Sequence, residues 1–483
     1  MDEKKLSHRR ILFIRIVAYP LFLILSIVLP LVLWASNSPI AGYTYSKKLQ
    51  PFELFCFFAS IFIFIAVGFE AWIARIKETK RLIPYGLFVL AALYFLTVTV
   101  DFNFKAWDYE CYENAAKSHL EGKNPYEGTY YLYPPLTYQI MSGAYHLLGF
   151  ADSFLETGQN SWSRWDLIFY LYQCMQFVLI MFCFLCCIDL ARRLKISAEW
   201  TPFLVTALFV FDSPLIRTLR HNQVNLWLLA FMLFAFLQYR KQPFSSGVLL
   251  AAASFIKLYP LILILPFLVM RRVRVVIGFT IGAVAILAVQ TRWMSDFSSW
   301  SQFIGSLKSF PEYIQFRNNS MLSLITNLAR VAKFITGYKW PAEIIWGIVF
   351  FICVIVLIWI FSRLMQREKT FKSSTDDRTT DLLDLDAFRS MGHFADAIAL
   401  MLLISPLAWE HHYLFALPIV IYAVATRMKI HPYLIMLGAI LIFSIPIFDV
   451  FPFSYHRCIG LFLLLVATQP DKAILTKKNN PVL

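Results

Sequence analysis

Apolar runs long enough to cross a bilayer recur from one end of this chain to the other, and that feature leaves few folds open. A spanning helix needs about 20 predominantly apolar residues. In hydrocarbon every backbone N–H and C=O must find its partner within the segment. Runs of this kind, several of them short, fall near 11–35, 53–74, 82–100, 165–190, 200–216, 223–239, 245–257, 258–270, 275–291, 341–364, 393–406, 412–427, 431–449 and 455–469. Of the 483 residues, 59% are hydrophobic and 15% charged, whereas soluble chains carry about 25% charged residues. The pattern predicts an all-α polytopic membrane protein of about 14 spans. It excludes a water-soluble globular domain and a disordered chain.

The formal net charge is +14, which in a soluble protein would point to nucleic acid. Here the cations fall between apolar runs, and cytoplasmic loops of membrane proteins collect Lys and Arg. Threading the spans puts Arg75 to Arg81, Arg192 to Lys195, Arg240 and Lys241, Arg271 to Arg274, Arg363 to Lys372, and Lys472 to Lys478 on one side. That predicts a multi-pass protein of the cell (inner) membrane with both termini cytoplasmic, and no nucleic-acid partner. Keeping Arg192 and Arg193 inside makes 134–150 an extracytoplasmic helix along the membrane surface. The expected layout is an N-terminal hairpin (1–81), a core (82–430) with outer loops 101–164 and 292–340, and a C-terminal hairpin with a tail (431–483). A polar segment at 365–392 reads as a mobile cytoplasmic loop. Cys183 and Cys186 have the CxxC spacing but lie in an apolar run without a His or acid nearby, so they read as packing residues. Gly278 and Gly282 fit a small-xxx-small helix contact.

Polar clusters at the outer ends of the spans are the candidate site. In the first outer loop Asp101, Asp108, Glu110 and Glu113 compete as a carboxylate that could take a proton from an incoming hydroxyl. Asn124-Pro125-Tyr126 and Tyr133-Pro134-Pro135 are turns that proline makes rigid. A second cluster runs from Asp212 to Asn225. It holds Arg217 and Arg220, whose guanidinium forks suit phosphate, and Gln223 and Asn225, whose amides suit sugar hydroxyls. Lys257, in Lys257-Leu258-Tyr259-Pro260, ends a short apolar helix. An ionisable side chain there is expensive and reads as functional, with a phosphate as an apt partner. Asn318-Asn319-Ser320 and the stretch Ser405-Pro406 to Glu410-His411-His412 complete the set. The paired histidines suit hydrogen bonding to substrate better than metal, because neighbouring side chains on a helix diverge by about 100°.

Taken in order, these residues resemble glycosyltransferase family 87, polytopic enzymes of the GT-C superfamily that include polyprenol-phosphate-mannose-dependent α-mannosyltransferases. The shared pattern is Asp108, Tyr109, Tyr112, Ala115-Ala116, Gly122, Asn124-Pro125-Tyr126 and Tyr133-Pro134-Pro135-Leu136. Gln223-Val224-Asn225, Lys257 to Pro260, Asn318 to Ser320, and Ser405 to His412 follow it. The resemblance covers roughly residues 100–427 and selects Asp108 as the catalytic acid–base residue. It implies a GT-C-type bundle that moves a hexose, mannose first among the choices, from a polyprenyl-phosphate donor to a glycan or glycolipid hydroxyl. Transfer would invert the anomeric centre and take place on the extracytoplasmic face, among membrane lipids, with no cofactor and no metal. In that reading Lys257, Arg220, His411 and His412 hold the donor phosphate. Tyr112, Tyr126, Tyr133, Gln223, Asn225, Tyr259, Asn318, Asn319 and Glu410 contact substrate. The family often has Gly where Asn222 stands. The alternatives are a lipid-linked substrate transporter or flippase, or a related transferase of another sugar.

Overall fold

The computed structural model describes residues 105–152, 163–197, 200–210, 212–294, 297–308, 318–375, 382–445 and 451–470. The three spans expected before residue 101, and with them the 1–81 hairpin, lie outside the described residues. Regular structure among the described residues is helical, apart from one isolated bridge between Asn318 and Trp409.

Helix α1 (Trp107–Leu120) and α2 (Leu136–Asp152) pack on each other and against α3 (Arg164–Arg193). Ser163 and Asp166 form a reciprocal capping box at the start of α3, which satisfies donors that a helix end leaves open. Next come α4 (Trp200–Val210) and α5 (Ser213–Arg220), with a 49° bend between them. Asp212 causes the new start: its carboxylate accepts the Leu215 N–H at 2.8 Å, and proline follows in the first turn. The apolar run at 200–216, expected as one span, is therefore a bent pair whose second half is cut short at His221. α6 (Asn225–Gln238) and α7 (Pro243–Ile256) follow.

Helix α7 runs parallel to α8 (Val273–Val289) in the most extensive helix pair among the described residues. Glycine makes that contact possible. A Cβ at Gly247 would strike the Val275 carbonyl, one at Gly278 the Phe244 carbonyl, and one at Gly282 would come within 3.0 Å of the Val248 Cα. The Gly278/Gly282 spacing thus brings two backbones together, as small residues do in membrane helices. Between these helices the chain is broken. Tyr259–Ile264 is a 3-10 turn opened by Pro260, and Leu265–Val269 is a single α turn.

The remaining helices are α9 (Ser298–Lys308), α10 (Met321–Thr336), α11 (Ala342–Thr375), α12 (Leu382–Ile404), α13 (Leu417–Arg427), α14 (Pro432–Ala439) and α15 (His456–Ala467). Four stretches are long and apolar enough to cross a membrane singly: Arg164–Arg193, Val273–Arg292, Ala342–Lys372 and Leu385–Ile404. The bent α4–α5 pair is a fifth if taken as one span, and several shorter apolar helices accompany them. α11 turns Phe350, Phe351 and Ile358 outward, a surface suited to hydrocarbon and not to water.

The expected loop at 365–392 is largely helix. α11 continues to Thr375 and α12 begins at Leu382. Several of its charges are absorbed in ion pairs, some between the two helices and some with Arg240 and Arg272. Arg363 and Arg367 both bind Asp396 at 2.8 Å. Arg389 and His393 bind Glu368. Asp386 gathers Arg240 at 2.7 Å, Arg272 at 2.9 Å and Arg389 at 3.2 Å. Polar composition suggested a solvated loop, but cross-helix pairing lets the same residues extend the bundle.

Candidate active site

The site forms where α1, the α5–α6 corner, the end of α7 and the turn before α13 meet. That turn, Glu410–Ala416, is a buried 3-10 segment. Helix propensity does not explain why the chain stops being helical here. Proline does at Pro260, and the Asn222 backbone does at the α5–α6 corner. Asn222 has φ +51°, a left-handed conformation that Gly and, among other residues, Asn tolerate best.

Asn222 also makes side-chain contacts that glycine could not. Its Oδ1 accepts the Ala106 N–H at 2.9 Å, and its Nδ2 donates to the Leu219 carbonyl at 3.3 Å. Its own carbonyl accepts from Tyr172 OH at 2.7 Å. Ala106 is the residue before α1, so Asn222 ties down the end of the helix that carries Asp108.

Geometry separates the competing carboxylates. Asp101 lies outside the described residues. Glu110 is exposed. Glu113 is buried and neutralised by Lys105 at 2.8 Å and Lys117 at 2.5 Å. Asp108 alone of the described three faces the polar cluster. Its side chain is only 14% exposed, and His221 Nδ1 lies 3.7 Å from its Oδ2. Burial pushes the Asp108 carboxyl up to about 6, while a hydrogen bond from Gln223 and the more distant charge of Lys257 favour the ionised form.

Lys257 caps the end of α7 with extended backbone and is 3% exposed. Its ammonium donates to Asn225 Oδ1 at 2.8 Å and Gln223 Oε1 at 3.3 Å, and meets His412 Nε2 at 3.1 Å. The rings of Tyr133 and Tyr259 lie 4.8 and 5.8 Å from it, close enough for cation–π attraction. For the ammonium to donate, His412 Nε2 must be unprotonated. No described carboxylate lies within ion-pair distance of Lys257.

Gln223 is the hub. Its Oε1 accepts from Tyr112 OH at 3.0 Å, Tyr133 OH at 3.2 Å and Lys257, and its amide reaches Asp108. Asn225 and Thr218 both donate to the His411 carbonyl at 3.4 Å, so α5 and α6 grip the histidine turn. The His411 and His412 rings stand at 87° to each other, 4.6 Å apart. His411 Nε2 is buried without a partner among the described residues. Among those residues no three His, Cys, Asp or Glu side chains converge as metal ligands.

Other expected contacts are committed elsewhere. Asn318 spans two backbone groups of the histidine turn: its Nδ2 donates to Pro406 O at 3.1 Å, and its Oδ1 accepts from Ala408 N at 3.0 Å. Asn319 N donates to Ala408 O at 2.8 Å, and its carbonyl accepts from Tyr413 OH. These residues shape the turn that bears the histidines. Tyr126 OH donates to the Tyr133 carbonyl at 3.0 Å, which orders the turn loop beneath the site. Glu410 is buried 3.5 Å from Arg217, with fully buried Arg457 behind it. Arg220 sits partly exposed at the end of α5. Two neighbours stood out less in the sequence. His221 is visible only as a member of the 212–225 run, and Arg457 only as a charge in an apolar stretch.

Together these features define a helical protein suited to a membrane, with a carboxylate and a lysine-centred cradle joined by one glutamine. The chain matches the family model of glycosyltransferase family 87 over residues 131–375, about half its length, and it belongs to that family of glycosyltransferases. It is also 21% identical over 222 residues to the polyprenol-phosphate-mannose-dependent alpha-(1-2)-phosphatidylinositol mannoside mannosyltransferase of Mycolicibacterium smegmatis (strain ATCC 700084 / mc(2)155). The aligned stretch covers 45% of this chain and 45% of that relative, so the chain spans about half the length of the curated protein it matches. No solved structure matches the chain.

Proposed function

We propose that this glycosyltransferase moves a hexose, mannose in the first instance, from a polyprenyl-phosphate sugar to a hydroxyl on a glycan or glycolipid. The reaction takes place on the extracytoplasmic face of the membrane. The observation that carries this reading is the pairing of Asp108 with Lys257 through Gln223. A buried ammonium held by two amides and an imidazole lacks an anion, and a departing phosphate supplies one. A carboxylate across the same glutamine is placed to receive a proton. The donor named for the mycolicibacterial relative supports this choice of donor. Asp108, His411 and His412 lie outside the family-matched stretch, and their roles rest on the geometry.

In the proposed step the acceptor oxygen attacks the anomeric carbon from the Asp108 side. Its proton passes to the Asp108 carboxylate as the new C–O bond forms. The bond from the anomeric carbon to the phosphate oxygen breaks on the opposite face, which inverts the centre. Negative charge grows on the leaving phosphate, where Lys257 and the histidine turn stabilise it. Site burial strengthens that interaction by excluding water.

The test is transfer of label from polyprenyl-phosphate-mannose to an acceptor by the reconstituted protein. Wild type should transfer label, and Asp108→Asn should not. Label that only changes leaflet in both would sink the transferase reading of this site in favour of lipid transport.

A further inference from the structure

His221 has no role in the step above, yet it stands next to the base. It ends α5 beside the left-handed Asn222, and that corner swings its ring towards α1. Its Nδ1 is 3.7 Å from Asp108 Oδ2, and its side chain is 34% exposed. The groups facing Asp108 divide sharply. Lys257 reaches it from the end of α7. Cys111 from α1, Tyr133 from the loop and Tyr172 from α3 also lie within electrostatic range. Tyr112, from α1, and Gln223 complete the inner wall. Cys111, Tyr112 and Gln223 are buried, and Tyr133 and Tyr172 are partly buried. The tyrosine hydroxyls and the Cys111 thiol are held neutral by their surroundings, and Gln223 does not titrate. Lys257 is occupied by Asn225, Gln223 and His412. The ring of His411 lies 6.3 Å from that of His221, and Arg217 is within electrostatic range of His411.

A base that removes a proton in every turnover must also lose it. The inner wall offers no route, because its hydroxyls are already donating to Gln223 or to backbone carbonyls. The imidazole, 34% exposed beside a carboxylate only 14% exposed, is the titratable group placed to hand a proton on to water. Catalytic hydrogen bonds are often long before substrate binds and tighten in the complex, so 3.7 Å is a suitable resting distance.

We propose that His221 is a positioning residue that resets Asp108. Its Nδ1 takes from the Asp108 carboxyl the proton that the acceptor hydroxyl gave up. The imidazolium so formed releases a proton to water at the mouth of the site. Asp108 returns to carboxylate and His221 to neutral imidazole, so no other reactant is consumed. The proposal rests on the reading of Asp108 as the base.

The experiment uses the full chain in proteoliposomes, with labelled polyprenyl-phosphate-mannose and acceptor, and compares His221→Ala with His221→Gln. The expected result for His221→Ala is a fall in kcat of about tenfold or more. Both KM values should stay within about twofold. Free imidazole should restore the rate in a dose-dependent way, since it fits the space the deletion leaves. His221→Gln fills that space without a titrating group, so it should lose rate and resist rescue. An unchanged kcat in His221→Ala, or a loss that imidazole leaves untouched, overturns the relay while leaving Asp108 as base. Wild-type transfer by Asp108→Asn overturns both, because His221 then has no base to serve.

Discussion

The two ends of α7 handle charge in opposite ways. At about 1.5 Å per residue, its 14 residues separate them by roughly 21 Å. Near the first end, Arg240, Arg272 and Arg389 surround Asp386, and beside them Arg363, Arg367, Glu368, His393 and Asp396 interlock between α11 and α12. Each acid there meets at least two cationic or cation-capable partners. At the other end, Lys257 meets two amides, an imidazole and two tyrosine rings, and Asp108 meets an amide and a histidine 3.7 Å away. Buried charge is costly unless paired. The paired end uses its charges to join helices. The unpaired end leaves its charges open to a charged ligand, as the proposed transfer requires.

The sharpest way to break this contrast is to neutralise one acid at each end. Asp108→Asn removes the proton acceptor, and transfer should fall by about 10³-fold or more, within the range of general-base contributions. Thermal stability should hold or rise slightly, because a buried carboxyl with a strained ionisation is gone. Lys257→Met should cost roughly 10²-fold in kcat, the scale of losing one donor to a developing oxyanion. Asp396→Asn should do the reverse. It leaves Arg363 and Arg367 buried without their acid, so stability should fall by about 3–5 kcal/mol. Turnover per folded molecule should stay within about twofold. Thermal unfolding in detergent beside single-turnover rates measures both. If Asp396→Asn instead lowers turnover at full stability, the two ends do not differ as described.

A pH profile sharpens the same contrast. Burial holds the Asp108 carboxyl up at about 6, above the usual aspartate range. The active form is the carboxylate, so activity is full above that pH and lost as pH falls through it. The acid limb of kcat/KM should therefore centre near pH 6 and lose about tenfold per unit below it. An acid limb near pH 4 would mean that Asp108 is solvated or is not the base.

These charges were unevenly legible in the sequence. Lys257 stood out because an ammonium at the end of an apolar run is expensive wherever the run packs. Asp108 did not stand out by its chemistry. Four nearby acids had equal claims, and the family resemblance chose between them before Glu113 was seen bound to Lys105 and Lys117. The ion pairs of α11 and α12 could not be read at all. Their partners lie 21 to 33 residues apart, and composition registers charges without registering which helix faces which. The same holds for Asp108 and His221, brought together only by the corner at Asn222. The Gly278/Gly282 contact was legible, since spacing on a helix fixes a face. The break of the 200–216 run was not, although Asp212-Ser213-Pro214 is a helix-start signal inside it.

The smallest expected effect concerns Asn222, which lies on the active end but carries no charge. Two properties meet in this residue. Its backbone needs positive φ, and its side chain tethers Ala106 at the entrance to α1. Asn222→Gly keeps the first and removes the second, while Asn222→Ala removes both. If α1 is held by packing alone, Asn222→Gly should behave as wild type, for Tyr109 and Tyr112 are fully buried against the bundle. If the tether sets the depth of Asp108, kcat should fall several-fold with little change in stability, because a neutral hydrogen bond contributes only about 1 kcal/mol. Asn222→Asp, which retains an acceptor for the Ala106 N–H and tolerates positive φ, should recover part of that loss. Asn222→Ala should add a stability loss of about 1 kcal/mol from backbone strain. We expect the second pattern, because a displacement of α1 too small to disturb its packing still moves the carboxylate relative to Lys257. A rate for Asn222→Gly equal to wild type would place the whole positioning burden on Gln223, which alone touches both charges.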